Sequence, residues 1–300
     1  MIEKASAILE NKGPLIGKDF VRETGLATFA AWQLCTASQQ LVTRIVGTRY
    51  LRLDLKVEGY ARLSPSIMRE FLNYTVVGME KDRAAIADRA KKIERDIAAV
   101  SAKKISLARD TVIRLLDNHP AGDNVAGRTC FIIAGDVVFG MGHTELRPES
   151  STGELVRGSD LDIITVTEGL SGQLLQDLDA LLYREKHNLL MNPVSKEEVD
   201  YIVKDLETVK QQLAFDDFKK MVASKILEEG RYLYGSRDLF DRIKELVAQY
   251  GIPEKLRLLE EKAIKDRVRA EHVLLSASES ADHDELMALF YTTEEKEEIF

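Results

Sequence analysis

The sequence predicts an α+β chain in four consecutive parts: a helix-and-hairpin module at residues 1–78, a helical connector at 79–120, a small α/β domain with a mixed sheet at 121–205, and a helical C-terminal region at 206–300. Three observations predict it. Short apolar runs of strand type stand at 129–134, 161–166 and 199–203. Helix-type apolar spacing fills 80–117 and most of the chain after 206. Ahead of both, three short helical segments are followed by two strand-like runs. At 45% apolar content, 300 residues can bury two cores without disulfides or a structural metal.

In the first part, residues 2–10 place Ile2, Ala5, Ile8 and Leu9 on one helical face, and Gly13-Pro14 cannot continue the turn. A second helix is expected at 17–24, broken by Gly25, and a third at 28–39, with Thr28 at its start. Residues 41–46, a Gly47-Thr48 turn and the alternating run at 50–55 read as a hairpin. Three helices and a hairpin resemble a winged helix-turn-helix domain by pattern. That resemblance implies a third helix in the major groove and a hairpin on phosphates. The third helix carries no positive charge, so the candidate DNA contacts are Arg44, Arg49, Arg52 and Lys56 on the hairpin. An interaction or dimerisation module with a solvated basic face is the equal alternative.

The connector places Ile86, Ala90, Ile93, Ile97 and Val100 four, three, four and three residues apart, a helix with an apolar seam. The seam suits packing within the chain better than a coiled coil, though a homodimer through it stays open. Asn118-His119-Pro120-Ala121-Gly122-Asp123 marks the next boundary. Charge is uneven. Residues 1–75 hold ten Lys or Arg against seven Asp or Glu, and the remainder carries −11 of the net −8. Cys35 and Cys130 lack partners at ligand spacing, no run is long enough to span a bilayer, and the amino terminus is unlike a signal peptide. A cytoplasmic protein without membrane contact is expected.

Chemistry concentrates in the third part. Asp160 and Asp162, two apart at the start of a strand, point to the same side, while Leu161 and Ile163 face the core. Asp200 opens the next strand and completes a cluster if the two strands are neighbours. Three carboxylates without His or Cys suit a hard cation, Mg²⁺ or Mn²⁺.

The block at 129–203 resembles the DNA polymerase beta-like nucleotidyltransferase superfamily. Its first strand ends in a glycine turn, Ile133-Ala134-Gly135-Asp136, with a second glycine at Gly140. Gly158-Ser159-Asp160-Leu161-Asp162 matches the Asp-x-Asp metal motif, and Val199-Asp200-Tyr201 the third acidic position. Asp136 stands where serine is usual, and the gap to Asp160 is longer than the family's common spacing. An acidic group near a triphosphate repels it unless a cation lies between.

The resemblance implies transfer of a nucleoside monophosphate from an NTP to an acceptor: a protein, a small molecule or a nucleic-acid end. Asp160, Asp162 and Asp200 would be the metal-holding and catalytic residues, and Gly135, Asp136, Gly140 and Ser159 would line the nucleotide. Among Lys219, Lys220, Lys225 and Arg231, only some can face a triphosphate. The five histidines are too scattered for a zinc site. The rival expectation is a DNA-binding transcriptional regulator whose transferase-like domain senses nucleotide or is inactive.

Overall fold

The first helices begin and end close to their expected positions: α1 (Ile2–Lys12), α2 (Gly17–Thr24) and α3 (Thr28–Ala37), with a two-residue strand β1 (Leu15–Ile16) between the first two. They belong to a computed structural model that describes residues 1–149, 152–277 and 283–292. Next come β2 (Leu41–Ile45), β3 (Tyr50–Leu53), β4 (Ala61–Ser64), α4 (Ile67–Tyr74) and β5 (Thr75–Met79). A long helix, α5 (Arg83–Asp117), follows. The architecture mixes helices with several small sheets.

The chain packs as two units, Met1–Asp96 with the described part of Glu260–Phe300, and Ile97–Leu259. These divisions fall inside α5 and inside α11 (Ile252–Ser276), rather than at 78, 120 and 205, where composition changes. A helix interior has no compositional mark of where its packing partner changes.

In the first unit the expected hairpin between 41–46 and 50–55 does not form. β2 pairs antiparallel with β5, from Leu41 opposite Met79 to Ile45 opposite Thr75, and β1 adds to the other edge of β5. The reason is burial. β5 brings Val76 and Val77, both fully buried, whereas β3 closes a hairpin of its own with β4. Asp54 locks that second hairpin: its N–H donates to the Tyr60 carbonyl at 2.8 Å, and its carboxylate accepts from Arg62 Nε at 3.0 Å. Leu9, Phe20, Trp32, Phe71 and Val77 form the core with Leu274 of α11 and Phe290 of α12 (His283–Phe290). Burying each such side chain contributes about 1.5–3 kcal/mol.

The second unit is built on a four-stranded sheet in the order β10-β9-β6-β11. After a short α6 (Gly122–Gly127), β6 (Thr129–Ala134) is buried throughout and leads into a single 3-10 turn at Asp136–Phe139. A hairpin, β7 (Leu146–Pro148) with β8 (Leu155–Arg157), occupies the polar stretch and forms a sheet of its own. Then follow β9 (Leu161–Thr167), α7 (Gly172–Met191), β10 (Val199–Asp205), α8 (Leu206–Gln212), α9 (Phe218–Glu229), β11 (Arg231–Gly235) and α10 (Arg237–Gln249).

β11 corrects the expectation of a wholly helical region after 206. Leu233 joins the core, and β11 runs antiparallel along the otherwise open edge of β6. Five residues are too few for periodicity to separate strand from helix. The helices around β11 start at side-chain caps that the sequence does carry. Asp205 accepts the Thr208 N–H, Asp217 that of Lys220, and Ser236 that of Leu239.

Alternation along the strands sorts the sheet into two faces. Phe131, Ile133, Leu161 and Ile163 turn toward Ala108, Val112 and Leu115 of α5 and Leu178 and Leu182 of α7. The opposite face, with Ile132 and Ile164, receives α8, α9 and α10.

Candidate functional site

The three aspartates stand at the end of the sheet where β6 finishes and β9 and β10 begin. β9 and β10 are parallel with Asp200 opposite Asp162, and β6 is antiparallel to β9 with Ala134 opposite Asp162. Residues paired across strands share a face, so Ala134, Asp162 and Asp200 line up opposite the apolar face packed on α5 and α7, although at the sheet edge the Asp200 carboxylate reaches Lys186 of α7. The chain after β6 turns at Gly135, with φ +76° and ψ −162°, a conformation open only to glycine. A Cβ here would collide with Asp162 Oδ2, so the carboxylate lies against bare backbone. Gly140 closes the 3-10 turn in the left-handed region, and the Met141 N–H returns to the Asp136 carbonyl at 3.0 Å.

Asp136 and Ser159, distant in sequence, are neighbours. The Ser159 hydroxyl donates to Asp136 Oδ2 at 3.4 Å and accepts the His143 N–H at 3.2 Å. The turn after Gly135 is a single 3-10 coil, Asp136–Phe139.

Asp160 is held differently. It precedes β9, and its Oδ1 pairs with Arg147 Nη2, which also lies 2.8 Å from Glu198 Oε2. Arg147 Nε donates to the Gly158 carbonyl at 3.0 Å. Burial pushes the Glu198 carboxyl above the usual range; Arg147 opposes that rise, and Asp200 and Glu149 add to it. Asp200 is exposed and accepts from Lys186 Nζ at 2.9 Å.

Two further ion pairs brace the site. Lys104 of α5, 3% exposed, donates to the carbonyls of Arg157 and Ser159, each at 2.8 Å, and pairs with Glu197. One ammonium thus ties together the segments leading into β9 and β10. Burial pulls its pKa down, and Glu197 opposes this. On the other face Lys225 pairs with Glu229 at the end of α9. Burial pushes the Glu229 carboxyl up. Lys220 instead pairs with Asp216 and Asp217, and Arg231 lies on β11, not on a helix.

The structure therefore brings Asp162, Asp200, Gly135 and Ala134 together, and Ser159 onto Asp136. It holds Asp160 on Arg147. Carboxylates in register are the hard oxygen donors that Mg²⁺ or Mn²⁺ takes, so the donor chemistry fits. Among the described residues, no three His, Cys, Asp or Glu side chains already converge as a ligand set. Sequence reasoning missed Lys104, Arg147, Lys186, Glu197, Glu198 and Glu229. Only the Glu197-Glu198 run before Asp200 offered a signal.

In the first unit, Arg44 lies exposed on β2, Arg52 half-buried on β3, and Lys56 exposed in the turn after it. Arg49 is bound internally: Nε and Nη2 donate to Glu70 at 2.5 and 2.7 Å, and Nη2 lies 3.2 Å from Glu271. The α3 face bearing Phe29 and Trp32 packs against Phe290, edge-on for Phe29 and tilted for Trp32, and Gln33 Nε2 donates to the Leu274 carbonyl at 2.8 Å. No helix among the described residues is long and apolar enough to cross a membrane.

Compared with known proteins, the chain matches no protein-family model and no curated protein.

Proposed function

We propose that Ile97–Leu259 is a nucleotidyltransferase domain of the polymerase beta-like type, moving a nucleoside monophosphate from an NTP to an acceptor hydroxyl. One observation carries the reading: Asp162 and Asp200 lie in register beside the end of β6, with the Gly135 backbone against the Asp162 carboxylate. The order strand, glycine turn, acidic strand, helix, acidic strand supports it.

Asp162 and Asp200 would hold Mg²⁺ or Mn²⁺, joined by Asp160. A bound cation would neutralise the triphosphate and lower the pKa of the acceptor hydroxyl. In this reading Gly135 lets the backbone approach phosphate oxygens, Ser159 keeps Asp136 hydrogen-bonded beside them, and an Asp200 oxygen takes the acceptor's proton. The acceptor class, whether protein, small molecule or nucleic-acid end, is set outside these residues.

A second reading keeps the domain as a nucleotide sensor or inactive relative within a DNA-binding regulator. It draws on the pairing of Asp160 with Arg147 and of Asp200 with Lys186, which gives both carboxylates partners within the chain.

Calorimetry with each of the four NTPs, with and without Mg²⁺, tests both. Metal-dependent binding that is lost in Asp160→Ala/Asp162→Ala, together with pyrophosphate release on adding acceptor, is expected for the enzyme. Binding without turnover favours the sensor. A folded wild-type protein that binds no NTP overturns both.

A further inference from the structure

Arg147, like Lys104, is a basic side chain inserted between the lead-in segments of β9 and β10, and it is the one of the two that touches Asp160. Its guanidinium meets Asp160 on one and Glu198 on the other, and is held by the Gly158 carbonyl. The side chain is 11% exposed and that of Glu198 7%, so this contact is shielded from water. The Lys186–Asp200 pair is more open and correspondingly easier for solvent and salt to separate. Asp160 itself remains 34% exposed, reachable from outside while Arg147 holds it from within.

A guanidinium and a divalent cation on one carboxylate repel at close range, so each weakens the other's hold on it. Arg147 stands on β7, and the β7–β8 hairpin belongs to a sheet separate from β10-β9-β6-β11. Its withdrawal breaks no ladder of the main sheet. It leaves the buried Glu198 carboxylate without its cation.

We infer that Arg147 is the resident counter-ion of Asp160 and competes with the divalent cation for it, so that metal occupancy and the Arg147–Asp160 contact each weaken the other. This rests on reading the aspartates as a cation site. The hairpin then sets how tightly the metal binds. Glu198 is the second anchor that holds Arg147 in place while the metal site is empty.

The test is Mn²⁺ binding to the full chain, followed by the electron paramagnetic resonance of free Mn²⁺, for wild type, Arg147→Met, Arg147→Lys and Asp162→Asn. Removing the competitor raises the competent fraction, so Arg147→Met is expected to bind about tenfold tighter or more. Arg147→Lys, which keeps the charge, should stay close to wild type, and Asp162→Asn should lose binding. In wild type, the Arg147 Nε–Hε resonance, identified by its absence from Arg147→Met, should shift along the Mg²⁺ isotherm.

Equal or weaker Mn²⁺ binding by folded Arg147→Met overturns the competition, and so does Arg147→Lys binding as tightly as Arg147→Met. An Arg147 resonance unmoved at Mg²⁺ saturation overturns it as well, and decides the matter if Arg147→Met does not fold. Absence of Mn²⁺ binding from wild type and Arg147→Met alike overturns the cation-site reading itself. Binding confined to Arg147→Met supports the competition in its strongest form.

Discussion

Asp162 and Asp200 stand directly opposite one another on the parallel strands β9 and β10, although α7 and its flanking loops separate them in the chain. Two like charges facing across a strand pair repel, which costs stability unless a cation sits beside them. Asp200 pairs with Lys186 at 2.9 Å.

Asp162→Asn relieves that repulsion, worth about 0.5 kcal/mol in chelator, and should lose the stabilisation that Mg²⁺ gives wild type. Urea midpoints with EDTA and with Mg²⁺ measure both effects. A variant that gains as much from Mg²⁺ as wild type does would remove Asp162 from the cation site.

Gly135 and Gly140 flank the same turn but differ in surroundings. A side chain at Gly135 meets Asp162 Oδ2 in a backbone region closed to other residues, whereas nothing lies within 4 Å of a Cβ at Gly140. Gly135→Ala should cost about 3 kcal/mol or more and disturb Mn²⁺ binding. Gly140→Ala should cost about 1 kcal/mol and leave Mn²⁺ binding unchanged. Equal effects on Mn²⁺ affinity would contradict the contact between Asp162 and the turn.

Lys104→Met leaves Glu197 and two carbonyls without their buried donor, and should lower stability by about 3–5 kcal/mol in urea unfolding. Adding Glu197→Gln should recover part of that loss, because the uncompensated carboxylate is then gone. Strict additivity in the double-mutant cycle would mean that the two side chains act independently.

Lys204 on β10 donates to Gln212 Oε1 at 2.8 Å, and burial pushes its pKa from the ordinary 10.5 down to about 8. Between those values the unfolded chain binds more protons than the folded one, so this group makes stability rise with pH from about 8 toward 10.5. Below about 8 the full penalty is present. Lys204→Met should thus be more stable than wild type at pH 7, by at most about 3 kcal/mol, and should lack that rise. Chemical denaturation from pH 7 to pH 10.5 distinguishes the two curves.

If the first unit binds duplex DNA, its basic residues will not contribute equally. Arg44 is exposed on β2, whereas Arg49 is engaged by Glu70 and Glu271. Arg44→Gln should reduce the salt slope of DNA affinity by about one, and Arg49→Gln should leave the slope unchanged. Fluorescence anisotropy across a salt series measures it, and equal slopes for the two variants would contradict this assignment.

Local pattern in the sequence determined the segments whose neighbours along the chain suffice to specify them. The all-apolar run at 129–134 became β6, Leu161 and Ile163 went into the core as their alternation required, and α2 kept its expected bounds. The residue types at Asp160, Asp162 and Asp200 announced the candidate chemistry for the same reason, since two of them share one strand's periodicity. Only the tertiary structure decided partners. β2 chose β5 over β3 because burial of Val76 and Val77 outweighs proximity in sequence. The five residues of β11 became a strand by covering the edge of β6. The ions of the site were equally out of reach, because nothing near Asp160 in sequence indicates Arg147, and nothing near Ser159 indicates Lys104. Those pairings depend on where β7 and α5 are brought by the packing of the whole unit. Periodicity is a property of one segment, whereas charge pairing and strand order are differences in free energy between alternative neighbours, which exist only once the chain has folded.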